Sequence, residues 1–187
     1  SRPARPRSRL TGSVESATTL IGHRDVQKVS FTGGPHTASK ILHQCADLLK
    51  PAVLELGGKS ANIVFDDADL DLVVQQATFN SLGLLSGQGC ELPTRLLVQD
   101  RIYDEMVERV TATAKALTVG DPFDPHTIVG PLINSAACDR VLGMVKRAQQ
   151  EKAGRLMTGG ERLRLAGDLA NGCYIAPTVF ADVIETS

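Results

Sequence analysis

The chain has 187 residues, 42% of them apolar, enough for a packed core and characteristic of a globular, soluble protein. Twenty lysines and arginines against 21 aspartates and glutamates leave a net charge of -1, so no field of either sign favours nucleic acid or an anionic membrane surface as a partner. Five Phe, two Tyr and no Trp argue against base stacking, and no apolar run is long enough to span a bilayer as a helix.

At the N-terminus, Ser1 to Arg9 carries four arginines and two prolines and reads as a solvated tail; the prolines count against a helical transit peptide. Short runs rich in Val, Ile, Leu or Phe predict strands at Gln27–Thr32, Ala52–Leu56, Ala61–Phe65 and Leu96–Gln99. Helical patterns lie between them at 36–49, 69–83 and 101–117. The second of these is announced by Asp66-Asp67-Ala68-Asp69, whose carboxylates suit an N-cap and first turn. This alternation predicts an α/β protein with parallel sheets covered by helices. Val119 to Pro125 and Gly130-Pro131 are turn-rich breaks. A helix is predicted over 134–150, with Ala137, Val141, Met144, Val145 and Ala148 on the face turned to a sheet. Gly154 to Asn171 reads as a short strand and loop, and Tyr174–Phe180 as a strand interrupted by Pro177 or placed at an edge.

Two segments carry chemistry. Glu55-Leu56-Gly57-Gly58-Lys59 holds a carboxylate and Ser86-Gly87-Gln88-Gly89-Cys90 a thiol, each in a glycine-rich setting. A thiol needs a polar, backbone-rich pocket or a positive field to ionise at neutral pH, and a carboxylate can activate the water that releases an acyl group from it. Plainer readings stand beside these: Glu55 as a strand-end carboxylate paired with Lys59, and Cys90 as a buried small hydrophobe. Gly33-Gly34, after a strand and before a helix, lets backbone approach a phosphate or ribose, or else forms an ordinary turn. Cys45, Cys138 and Cys173 lie far apart with no C-x-x-C pair, which predicts neither a disulfide framework nor a metal site and points to a reducing, cytoplasmic compartment. His23, His36, His43 and His126 match no ligand spacing, and Lys59 and Arg95 read as structural.

In order along the chain, Val29-Ser30-Phe31-Thr32-Gly33-Gly34, Glu55 to Ser60, Gly87-Gln88-Gly89-Cys90 with Arg95, Val119-Gly120-Asp121-Pro122, Val129 to Ile133 and Pro177 to Phe180 resemble the motifs of the NAD(P)-dependent aldehyde dehydrogenase superfamily. The resemblance covers roughly Leu10 to Val183. It implies residues 1–57 as the end of a Rossmann-like coenzyme domain and residues 58–187 as most of an α/β catalytic domain. It implies oxidation of a small aldehyde to a carboxylic acid with NAD or NADP, with Cys90 as nucleophile, Glu55 as hydrolytic base, and Phe31, Thr32, Gly33, Gly34, Leu56 and Gly57 along the coenzyme.

The sequence also departs from the family pattern. Leu85 stands where an asparagine usually precedes the nucleophile, and Asn80 to Ser86 is one residue longer than usual. In Thr11 to Thr18 only Gly12 remains of the family's glycines. The chain is expected to be an internal fragment without the segments that build the family's homo-oligomers and complete its oxyanion hole. On its own it is expected to show little activity, a truncated remnant or interaction module being the alternative.

Overall fold

The computed structural model describes residues 8–184; most of the predicted N-terminal tail, residues 1–7, lies outside them. The chain divides after Gly57 into two compact units, each with its own parallel strand pair.

In the first unit, α1 (Val14–Gly22) precedes a strand–helix–strand arrangement of β1 (Val29–Gly33), α2 (Pro35–Asp47) and β2 (Ala52–Leu56). The strands are parallel, so the connection must cross over the sheet, and α2 does so. Proline at its first turn suits the fixed φ of that residue, and Ala38, Ile41 and Cys45 fall on one buried face. Lys50 Nζ donates to the carbonyls of Ile21 and His23, each at 2.6 Å, and Gln44 Nε2 donates to Thr18 at 2.8 Å. These side chains tie α1 and the residue after it to α2 and its C-terminal end, α1 having no buried residue of its own.

The second unit begins with β3 (Ala61–Val64), followed by α3 (Leu70–Thr78), β4 (Arg95–Val98) and α4 (Tyr103–Ala116). β3 and β4 run parallel, and Val64, Leu96 and Val98 turn inward, as the period of two requires. Val74, Met106 and Val110 form the core, with Leu70, Val73, Leu96, Val98, Ile102 and Val179 packed against it. Asp69 is the N-cap of α3, its carboxylate accepting from the Leu72 amide at 3.2 Å. Further on, Asn134 caps α5 (Ser135–Gln150) by accepting from Ala137 at 2.9 Å.

Several expected elements differ. The helix predicted over 69–83 is α-helical only to Thr78, then passes into a π turn at Phe79–Gly83 and a tight turn at Leu84–Gly87. On α5 the predicted face is largely the inward one, with Val145 buried and Ala137, Val141 and Ala148 half-buried, but Cys138 joins it and Met144 is exposed. The strand expected at 174–180 is interrupted at Pro177, as one of the two readings had it, leaving β7 (Tyr174–Ile175) and β8 (Val179–Ala181) on either side. A proline lacks the N–H a ladder needs, so the chain changes sheet there: β8 pairs antiparallel with β5 (Arg155–Thr158) and β7 with β6 (Arg162–Leu163). Gly154 to Asn171 thus contributes two short strands where one was expected, and α1 forms where no element was assigned.

Candidate active site

In the first unit the parallel register sets Phe31 opposite Leu54, Thr32 opposite Glu55 and Gly33 opposite Leu56. Two segments far apart in sequence therefore meet at the C-terminal end of one strand pair, the end where open α/β sheets bind ligands. Thr32, Gly33, Gly34, Glu55, Leu56 and Gly57 are all exposed, and Phe31 is half-buried. The Phe31 ring lies over Gly33: a Cβ there would come within 2.5 Å of its Cζ. A Cβ on Gly34 or Gly57, by contrast, would meet nothing within 4 Å, so their backbone is open to a ligand. Gly34 is the N-cap of α2 and brings no side chain to the first-turn amides. This open, glycine-lined helix entry fits a coenzyme's phosphate or ribose. Among the described residues no ion pair joins Glu55 to Lys59.

Cys90 belongs to the second unit, on an exposed bend that follows an unusual backbone. After the π turn, Leu85 (φ 49°), Ser86 (φ 53°) and Gly87 (φ 72°) adopt left-handed conformations in succession. Only the glycine does so without strain, and two non-glycine residues there cost about 1–2 kcal/mol each. A π turn takes up one more residue than an α turn, and here it leads into the left-handed stretch before Cys90. The conformation is held by Ser86, whose Oγ accepts from the Gly130 amide at 2.8 Å, and by the Gln88 amide donating to Leu85 at 3.1 Å. Gly89 is required by a close approach: a Cβ would lie 2.8 Å from Cγ of Leu92, which is 2% exposed.

Beyond Cys90 the chain is tied down again. Ser81 Oγ donates to Pro93 at 2.8 Å, and Arg95 Nε donates to the Lys59 carbonyl at 2.9 Å. Arg95 thus joins the end of the glutamate motif, through the Lys59 backbone, to the end of the cysteine motif. The Cys90 thiol donates from Sγ to Oε2 of Glu91 at 3.1 Å. That hydrogen bond, with the carboxylate's charge behind it, raises the thiol above its ordinary pKa and lowers that of Glu91. Of the two settings expected for an ionised thiol, a backbone-rich pocket or a positive field, backbone N–H groups do act on Cys90, but the side chain that touches it is negative and its effect is the larger. Sequence reasoning passed over Glu91, although its place beside the thiol was the available signal, and over Ser86, whose partner lies 44 residues on. The four histidines are exposed, Cys45 and Cys138 are buried, and Cys173 is half-buried.

The sequence profile of the Aldehyde dehydrogenase family matches residues 7–187. The chain is 40% identical over 173 residues to a betaine aldehyde dehydrogenase of Vibrio vulnificus, covering 92% of this chain and 35% of that protein. It is likewise 40% identical over 177 residues to one from Brucella ovis, covering 95% and 36%. Among solved structures, an aldehyde dehydrogenase of Mycobacterium tuberculosis complexed with NAD+ superposes with a TM-score of 0.85 at 39% identity, over 94% of this chain and 35% of that one. HpcC from Thermus thermophilus gives 0.83 at 39%, over 88% and 32%. The chain therefore spans about a third of the length of the relatives it matches.

Proposed function

Since this chain belongs to the aldehyde dehydrogenase family, we propose that it carries the nucleophile and base of an enzyme that oxidises an aldehyde to a carboxylic acid with NAD or NADP. The observation that carries this reading is the sheet register that brings Thr32-Gly33 beside Glu55-Leu56, joining a ligand-accessible glycine turn to a solvated carboxylate. The first unit, to Gly57, is the end of a coenzyme-binding domain and the second part of a catalytic domain. Four free cysteines fit a cytoplasmic protein.

The Cys90 thiol gives its proton to solvent, Sγ forms a bond to the aldehyde carbon as the C=O π bond opens, and the Cys90 backbone N–H donates to the resulting oxyanion. Phe31, Thr32, Gly33, Gly34, Leu56 and Gly57 would hold the coenzyme, which when bound supplies the two-electron acceptor that leaves an acyl group on Cys90. Glu55 takes a proton from water, the hydroxide adds to the thioester carbon, and the C–S bond breaks to release the acid and the Cys90 thiolate, which regains a proton from solvent as Glu55 returns its own to solvent.

The test is coenzyme-dependent acid formation by the purified protein. Betaine aldehyde, from the names of the two relatives above, and an aliphatic aldehyde serve as first substrates. Cys90→Ala should abolish both product and any acyl adduct found by mass spectrometry, whereas Glu55→Gln should let the adduct build up. Undiminished turnover in Cys90→Ala would overturn the assignment. A second reading, an inactive remnant or interaction module, is favoured by the carboxylate on the Cys90 thiol, and absence of both adduct and product would support it.

A further inference from the structure

We propose that Glu91 is a positioning residue for Cys90, its carboxylate holding the Sγ–H and keeping the thiol protonated at rest. The inference rests on Cys90 as nucleophile but concerns a residue the reaction itself does not use.

The geometry makes this contact a built one. The bend at Cys90 and Glu91 lies between two anchored stretches. Upstream, Ser86 is bonded to Gly130, and Gln88 Nε2 reaches the carbonyls of Leu85 at 3.3 Å and Pro131 at 3.5 Å. Downstream, Leu92 is buried, Pro93 accepts from Ser81, and the Thr94 amide closes back on Leu92 at 2.9 Å. In an extended strand neighbouring side chains point to opposite faces. Here the bend brings the thiol and the next residue's carboxylate to 3.1 Å while both remain exposed.

Among the described residues no cationic side chain pairs with the carboxylate, which otherwise takes only a backbone N–H. The segment packed against Cys90 from the glutamate motif offers Gly58, whose Cβ would lie 3.5 Å from the Cys90 carbonyl, and Lys59. The start of β4 offers Arg95, which gives its Nε to Lys59. Residues 84–89 and 130–132, which meet through Ser86 and Gln88, contain no ionisable side chain. Among the described residues neither Lys59 nor Arg95 forms an ion pair with Glu91, and the carboxylate is the titratable group that bears on the thiol. A negative acceptor stabilises S–H over S⁻, which also shields an exposed thiol from oxidation.

The experiment is the rate of iodoacetamide alkylation at Cys90 against pH, read by peptide mass spectrometry on the full chain, with circular dichroism to verify folding. Glu91→Gln should move the profile to lower pH and speed alkylation at neutral pH about threefold or more, since each pKa unit is worth tenfold in thiolate. Glu91→Asp should restore part of the wild-type profile. If Glu91→Gln does not fold, the wild-type profile is compared with that in denaturant, where it should lie lower. Coincident profiles for wild type and the glutamine variant, or for folded and denatured wild type, would overturn the proposal. Because alkylation needs neither aldehyde nor coenzyme, a moved profile without turnover sinks only the catalytic reading, and an unmoved profile with turnover sinks only this one.

Discussion

Single residues in this chain show how far side-chain chemistry depends on where the backbone leaves it. Leu85 and Ser86 have ordinary side chains in left-handed conformations, and the Ser86–Gly130 hydrogen bond helps to hold them there. Strain of this kind persists only where surrounding contacts over-determine it, here in the turn that delivers Cys90. Thr78, the last residue of α3, is 1% exposed and its Oγ1 has no partner among the described residues. A buried hydroxyl without a partner costs about 1–3 kcal/mol, and valine has nearly the same shape. Thr78→Val should therefore raise stability by about 1 kcal/mol in urea denaturation, and a loss of stability would show that the hydroxyl is needed.

At the level of elements, helix ends are set as much by backbone geometry as by residue preference. α2 ends in a Schellman arrangement: the Leu49 amide donates to Ala46 at 3.1 Å and the Lys50 amide to Cys45 at 2.9 Å. The motif puts Leu49 at φ 51° and leaves it 92% exposed, where glycine is the usual occupant. Leu49→Gly should stabilise the protein by about 0.5–1 kcal/mol, because it relieves the left-handed strain and gives up little packing. An unchanged or lower midpoint in thermal or urea unfolding would contradict this. In the second unit, Asp182 ties β8 to α4 and β5: its Oδ1 accepts from Tyr103 at 3.0 Å and its Oδ2 from Arg155 at 2.8 Å. The three residues lie on elements that the chain brings together only after Pro177 has broken the strand.

For the molecule as a whole, two units mean two cores of unequal size. The buried hydrophobic residues of the first, among those described, are Ala38, Ile41 and Cys45, whereas the second is built around Val74, Met106 and Val110 with six further side chains packed on them. Less buried apolar surface means less stability, so Cys45 should become reactive to a thiol reagent at lower denaturant than Cys138. Simultaneous exposure of the two thiols would show one cooperative unit instead. Much of this was legible beforehand. The order of the first four strands, the α/β class, an aspartate cap within Asp66 to Asp69 and the family itself follow from the sequence, because periodicity, capping and short motifs act over a few neighbouring residues. The Schellman end at Leu49, the sheet change at Pro177, the latch from Ser86 to Gly130 and the carboxylate on the Cys90 thiol were decided by the tertiary structure. The latch and the sheet change depend on partners distant in sequence. The other two depend on how a loop bends, and hydrophobic periodicity does not encode such bends.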